Sequence, residues 1–147
     1  MKLSTKGRYA LMAMIDIAIY SKGGEHVSLY QISTRCNISM SYLEQLFIKL
    51  KKANLVLSAK GPKGGYLLSR SNEEISVANV VDAVDEKLEF LRCNNTKDCL
   101  KTGKQCSTHH LWSNFMGSVY SYLSSISLQN ILDDDFEIAN QIMLKQG

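Results

Sequence analysis

Between residues 28 and 68 two short amphipathic runs, a tight break and a glycine-rich tip follow one another so closely that few folds admit them. Ser28 opens the first run, through Leu29, Ile32 and Cys36, and Asn37-Ile38-Ser39 breaks it. The second run, over 40–53, places Leu43, Leu46, Phe47 and Leu50 on one face of a helix and Ser41, Glu44, Gln45, Lys49, Lys51 and Lys52 on the other. Two short helices joined by a tight turn, the second apolar on one side and basic on the other, are what a helix-turn-helix requires. One face packs on a scaffold while the other enters a major groove about 12 Å wide.

Two short apolar runs follow, Leu55-Val56-Leu57 and Tyr66-Leu67-Leu68, which read as strands. They flank Ala59-Lys60-Gly61-Pro62-Lys63-Gly64-Gly65, which contains the sole proline of the chain. Glycine supplies positive φ and proline fixes φ near −65°, so the segment is a hairpin tip. Lysines on a surface hairpin are common, but directly after a basic amphipathic helix this hairpin reads as a wing touching phosphates. The expected fold is therefore mainly α with a small β-hairpin wing. Residues 1–70 form the winged helix-turn-helix, and residues 71–147 form a second region with a cysteine loop and a long helix.

Charge supports that division. Residues 1–70 hold eleven Lys and Arg against three acids, a net +8, while residues 71–147 carry a net −5. A basic half beside an acidic half fits a polyanion partner for the first half only. Candidate DNA contacts are Lys2, Arg8, Ser39, Ser41, Tyr42, Glu44, Gln45, Lys49, Lys52, Lys60, Gly61, Lys63 and Gly64. The lysines and arginine are weighted to phosphates. Ser41, Tyr42, Glu44 and Gln45 lie early enough in the helix to reach base edges. A carboxylate at Glu44 repels phosphate and accepts only from cytosine N4, so it selects rather than attracts; a solvent-facing helix acid is the plainer reading.

The apolar run over 10–20 is interrupted by Asp16, lacks a small-residue cleavage site, and is shorter than the roughly 20 residues that span a bilayer. No membrane association and a cytoplasmic location are expected. Further on, Leu111, Trp112, Phe115, Val119, Tyr122 and Ile126 recur at helical spacing. A helix of that length spans roughly 28 Å, with more apolar surface than a small domain covers, so it reads as a homodimer interface. Packing on its own domain is the alternative. A dimer presents two recognition helices to a palindromic DNA site. The tail around Asp133-Asp134-Asp135 reads as a solvated helix end or connector.

Cys93, Cys99 and Cys106 fall in one stretch, with Cys36 far away among apolar helix residues as a small core side chain. In a cytosolic chain such a cluster points to metal or cluster ligation rather than disulfides, and thiolates suit zinc and iron–sulfur centres alike. Thiols holding no metal are the third reading. Cys106 and His109 could form a nucleophile–base pair, but no third orienting residue, phosphate loop or carboxylate pair accompanies them, so no enzyme is expected.

Three stretches carry a wider resemblance: Lys2-Leu3-Ser4-Thr5-Lys6-Gly7-Arg8-Tyr9-Ala10, Ile38-Ser39-Met40-Ser41-Tyr42-Leu43-Glu44-Gln45-Leu46-Phe47, and Gly61-Pro62-Lys63-Gly64-Gly65-Tyr66-Leu67-Leu68. Together with Val84-Asp85-Glu86, the cysteine loop and His109-His110-Leu111-Trp112, they resemble the Rrf-type winged-helix regulators over nearly the whole chain. Within that family the likeness is to the regulators of iron–sulfur cluster assembly. The resemblance implies a homodimer that carries a 2Fe–2S cluster and controls iron–sulfur biogenesis or related genes. It implies ligation by Cys93, Cys99, Cys106 and His109, spaced Cys-x5-Cys-x6-Cys-x2-His, with His110 an adjacent competitor for the fourth position. The middle interval is one residue longer than the family pattern. Zinc accepts Cys₃His as well, so the alternative is a zinc-stabilised or metal-free winged-helix regulator responding to redox state or nitric oxide.

Overall fold

Apolar residues wrap most of the first helix, and in the computed structural model, which describes residues 5–84 and 99–145, that helix is the central post. α1 (Thr5–Tyr20) buries Gly7, Ala10, Ala13, Met14, Asp16, Ile17 and Ala18. α2 (Leu29–Cys36) starts behind a capping box: Ser28 Oγ accepts from the Gln31 amide at 3.2 Å, and Gln31 Oε1 accepts from the Ser28 amide at 2.9 Å. Asn37 ends it in the left-handed region at φ 54°, where asparagine is tolerated. Ser39 then caps α3 (Met40–Lys52), accepting from the Tyr42 amide at 3.3 Å. The helix-turn-helix is thus set by three polar side chains whose hydrogen bonds close the helix ends locally.

β1 (Val56–Ala59) and β2 (Gly65–Leu68) pair antiparallel, Val56 opposite Leu68 and Ala59 opposite Gly65. The strands lie within one or two residues of the expected positions. Val27 adds a bridge on the open edge of β2, exchanging hydrogen bonds of 3.0 and 2.8 Å with Tyr66. Gly65 has φ 142°, and a Cβ there would stand 2.4 Å from the Val27 carbonyl oxygen. Only glycine lets the hairpin dock so closely on the chain entering α2.

α4 (Val77–Val84) follows, then α5 (His109–Ser125), α6 (Leu128–Asp133) and α7 (Glu137–Lys145). Two apolar clusters form. The larger joins Met14, Ile17, Ile32, Leu43, Phe47 and Leu50 to Ile75, Val80, Val84 and Leu128; the smaller joins Val77 and Val81 to Met116, Ile126 and Ala139. Alternate sides of α4 therefore serve both. Hydrogen bonds from the Val77 amide to the Ile126 carbonyl (2.8 Å) and from Leu128 to Ile75 (3.0 Å) tie the start of α4 to the start of α6. The boundary expected at residue 70 lies just after β2, and α4 crosses back over it to complete the core of the first half.

The tail is more structured than expected. Asp134 ends α6 at φ 52° and Asp135 accepts from the Glu137 amide, so the acidic triplet is indeed a connector. It leads, however, into α7, which packs along α5 and buries Ala139. That packing takes up part of the stripe read as a dimer surface: Phe115 and Tyr122 lie against the smaller cluster, and Ile126 is inside it.

Asp16 is 5% exposed on α1, and Arg35 of α2 meets it with a two-pronged contact, Nε to Oδ2 and Nη2 to Oδ1, both 2.8 Å. The guanidinium carbon also sits 3.8 Å from the Tyr20 ring centroid. The hydrogen bond to Asp16 raises the Arg35 pKa, opposed by desolvation and assisted by the charge of Asp16. Cys36 Sγ lies 3.9 Å from Asp16 Oδ2; burial foremost, then that carboxylate, pushes the thiol pKa up, which keeps it a thiol. Removing one partner leaves the carboxylate buried without its cation. Arg35→Ala is expected to cost about 2 kcal/mol in urea unfolding, below the range for fully buried pairs because the guanidinium is partly solvated. The double variant with Asp16→Ala should cost less than the sum of the singles; simple additivity would show that the pair contributes nothing as a pair.

Candidate DNA-binding face and the cysteine–histidine site

Leu43, Leu46, Phe47 and Leu50 of α3 are buried, as their spacing predicts, which leaves the opposite side of the helix open. Ser41, Glu44, Gln45, Ile48, Lys51 and Lys52 are exposed there. Tyr42 is half-buried, edge-on to Tyr9 at 5.6 Å between centroids, so α1 steadies the first turn of α3. The Ser39 hydroxyl accepts the cap hydrogen bond and still has its own proton to donate. Arg8 is exposed on α1. Lys6, which sequence reasoning did not single out, lines a small crevice with Tyr42, Gln45, Leu46 and Lys49. Periodicity along one helix gives no sign that a side chain from another helix flanks it. Lys2 lies outside the described residues.

Lys49 is placed differently from the other candidate lysines. It is half-buried, and its Nζ donates to the Val84 carbonyl at 3.2 Å. Val84 is the last described residue of α4. A lysine of α3 thus ties that helix to α4 at Val84.

Lys60, Gly61 and Lys63 are exposed on the tip between β1 and β2. Gly61 has φ 106° with open space around it, and the Gly64 amide donates to its carbonyl at 2.9 Å. A Cβ on Gly64 would lie 2.4 Å from the Ala59 carbonyl oxygen, so the tight tip needs glycine there too. The tip and the start of α2 border an open groove lined by Glu25, His26, Tyr30, Gln31 and Lys63 among others.

In the second half, Cys99 and His109 come together, with Sγ 3.0 Å from Nδ1 and both residues buried. His109 is the first residue of α5, and its Nε2 is 3.4 Å from Ser113 Oγ, one turn on. His110 is exposed, turned to meet the His109 ring edge-on. Cys106 is half-buried; its carbonyl accepts from the His109 amide at 3.1 Å, and its Sγ is 3.7 Å from Thr108 Oγ1. Cys93 falls outside the described residues, and among the described residues no three His, Cys, Asp or Glu side chains surround a common point. Two of the expected ligands nonetheless converge at close to the roughly 3.5 Å that separates donors on one tetrahedral metal. The donor set is soft thiolate plus imidazole, which fits zinc or an iron–sulfur cluster.

On α5, Leu111 is 58% and Trp112 37% exposed, Val119 is half-buried, and Phe115 and Tyr122 pack inward. Tyr120 donates to Asp82 of α4 at 3.0 Å, which raises the phenol pKa.

Residues 3–134 match the Rrf2 family, described as iron-dependent transcriptional regulators. The chain belongs to the Rrf2 family. The HTH-type transcriptional regulator IscR of Photorhabdus laumondii is 47% identical over 134 residues, 91% of this chain and 80% of that one. The IscR of Aliivibrio salmonicida is 46% identical over 135 residues, 92% and 79% of the two chains. Among solved structures, T. potens IscR superposes with a TM-score of 0.74 at 35% identity, over 91% of this chain and 88% of that one. The global cysteine regulator CymR of B. subtilis gives the same score at 30% identity, over 89% and 95%. This Rrf2 protein is thus a DNA-binding transcription regulator of winged-helix type, not an enzyme, and no helix among its described residues is long and apolar enough to cross a membrane.

For this Rrf2 regulator the exposed wing lysines give a test of phosphate contact. Lys60→Ala and Lys63→Ala should each weaken binding to all DNA sequences alike and reduce the slope of log K against log salt by about one. Lys49→Met should change that slope less, because its ammonium already serves the α4 carbonyl. Equal slopes for all three variants would contradict this ranking.

Proposed function

We propose that this regulator is a cytoplasmic homodimer carrying a 2Fe–2S cluster on Cys93, Cys99, Cys106 and His109, and that cluster status sets which palindromic promoter sites it occupies. The observation that carries the reading is the buried contact between Cys99 Sγ and His109 Nδ1. The family description as iron-dependent, and the resemblance to regulators of iron–sulfur cluster assembly, support the same reading.

When bound, the cluster supplies a redox-active, losable centre whose mixed ligand set raises its potential relative to all-cysteine ligation. The chain's own residues do the rest. Burial of Cys99 and His109 withholds them from bulk water, and Ser113 beside Nε2 helps fix the imidazole orientation, as an outer partner does for a ligating histidine. His109 is favoured over His110 because its ring lies beside Cys99 while the other ring is exposed.

The ligand-bearing half carries net negative charge, so its influence on DNA passes through the scaffold. The Lys49 contact supports such a route: α3 holds α4 at Val84, the last described residue before the stretch that contains Cys93. Glu44, exposed on α3, is the selector in this reading, penalising a subset of sites when the cluster is absent. Leu111 and Trp112, exposed on the first turn of α5, remain open for the dimer contact.

Anaerobically purified protein should be coloured, with about one 2Fe–2S cluster per chain by iron and sulfide analysis. Colourless protein with stoichiometric zinc would establish the zinc alternative instead. Cys93→Ala, Cys99→Ala and Cys106→Ala should each abolish the cluster in a folded protein, and His109→Ala should alter the visible spectrum more than His110→Ala; the reverse order would reassign the fourth ligand. Leu111→Asp should shift sedimentation toward monomer, and an unchanged profile would remove α5 from the interface.

A further inference from the structure

Ile48 is 69% exposed on α3, a helix whose other apolar side chains past its first turn are buried. At about 100° per residue, Ser41, Glu44, Gln45, Ile48 and Lys52 fall within roughly 100° of arc, and Ile48 lies near its centre, opposite Leu43 and Leu50. The fold does not ask for isoleucine there. The side chain is absent from both apolar clusters, and a β-branched residue is a poorer helix former than the lysine, glutamate or alanine that would suit a solvated position.

We infer that Ile48 is a specificity-determining residue that packs against the 5-methyl group of a thymine in the major groove. A single apolar group ringed by Ser41, Glu44, Gln45, Lys51 and Lys52 suits no apolar protein surface, which would have to desolvate two lysines and a carboxylate to reach it. The major groove presents that pattern itself: polar base edges and phosphates, with an apolar point wherever a thymine methyl projects. Ile48 lies three residues beyond Gln45, about 4.5 Å along the helix axis, close to one 3.4 Å base step. Gln45 and Ile48 therefore reach neighbouring base pairs, the first by hydrogen bonds and the second by contact with a methyl. This rests on DNA binding through α3 and not on the cysteine–histidine site.

The test begins with selection from a random-sequence duplex library by the full-length protein and by Ile48→Ser, whose exposed position leaves the fold intact. The wild type should enrich a thymine at a position that the variant leaves unspecified. Replacing that thymine with deoxyuridine, which removes only the methyl, should weaken wild-type binding about fourfold, the worth of one buried methyl-sized group, and leave Ile48→Ser unchanged. Identical base preferences for the two proteins would overturn the inference. So would an equal uracil penalty in both, or a changed oligomeric state for Ile48→Ser with its base preferences intact.

Discussion

Both cores depend on α4, described over Val77–Val84. Val80 and Val84 complete the cluster beneath α1 and α3, while Val77 and Val81 complete the one beneath α5 and α7. A valine side chain fully buried is worth about 1.5–3 kcal/mol, so four of them on one helix join the halves firmly. Lys49 of α3 adds a polar tie, its ammonium donating to the Val84 carbonyl. A displacement of α4 at Val84 cannot be absorbed by the close-packed valines without being felt at α3. α3 and Val84 are thus mechanically neighbours, although they are remote in sequence.

Much of the DNA-binding half is legible in the sequence because its determinants are local. Ser28, Asn37 and Ser39 set helix ends through hydrogen bonds spanning a few residues. The buried face of α3 follows its apolar spacing, and the glycines of the tip serve tight backbone contacts. What periodicity does not carry is the identity of the partner surface. The stripe on α5 reads as a subunit contact, with packing on its own domain as the alternative, and the structure packs Phe115, Tyr122 and Ile126 within the chain while Leu111 and Trp112 stay exposed. α7 escapes notice because a short helix after an acidic triplet has little pattern of its own. The pair of Asp16 and Arg35 spans nineteen positions, and nothing local announces it.

The candidate metal site divides in the same way. Three clustered cysteines mark ligation chemistry from composition alone, yet two adjacent histidines cannot be ranked by spacing. Residues one apart on a helix point about 100° away from each other. The turn at the start of α5 places them differently, with His109 inward beside Cys99 and His110 in solvent. In the proposed reading the lysines of the wing attract any duplex, whereas Glu44, Gln45 and Ile48 on the exposed arc discriminate between base edges.

The central claim is that the cysteine–histidine site and the exposed arc of α3 are thermodynamically linked. Linkage of that kind requires a differential affinity between two states of the protein. It is tested most directly by equilibrium titrations of cluster-loaded and cluster-free protein, wild type and Glu44→Ala, on two duplex sequences at several salt concentrations. The account predicts that the ratio of affinities for the two sequences differs between loaded and cluster-free wild type, and that Glu44→Ala abolishes the difference at every salt concentration. Equal ratios for loaded and cluster-free wild-type protein would contradict it, however tightly the protein binds DNA.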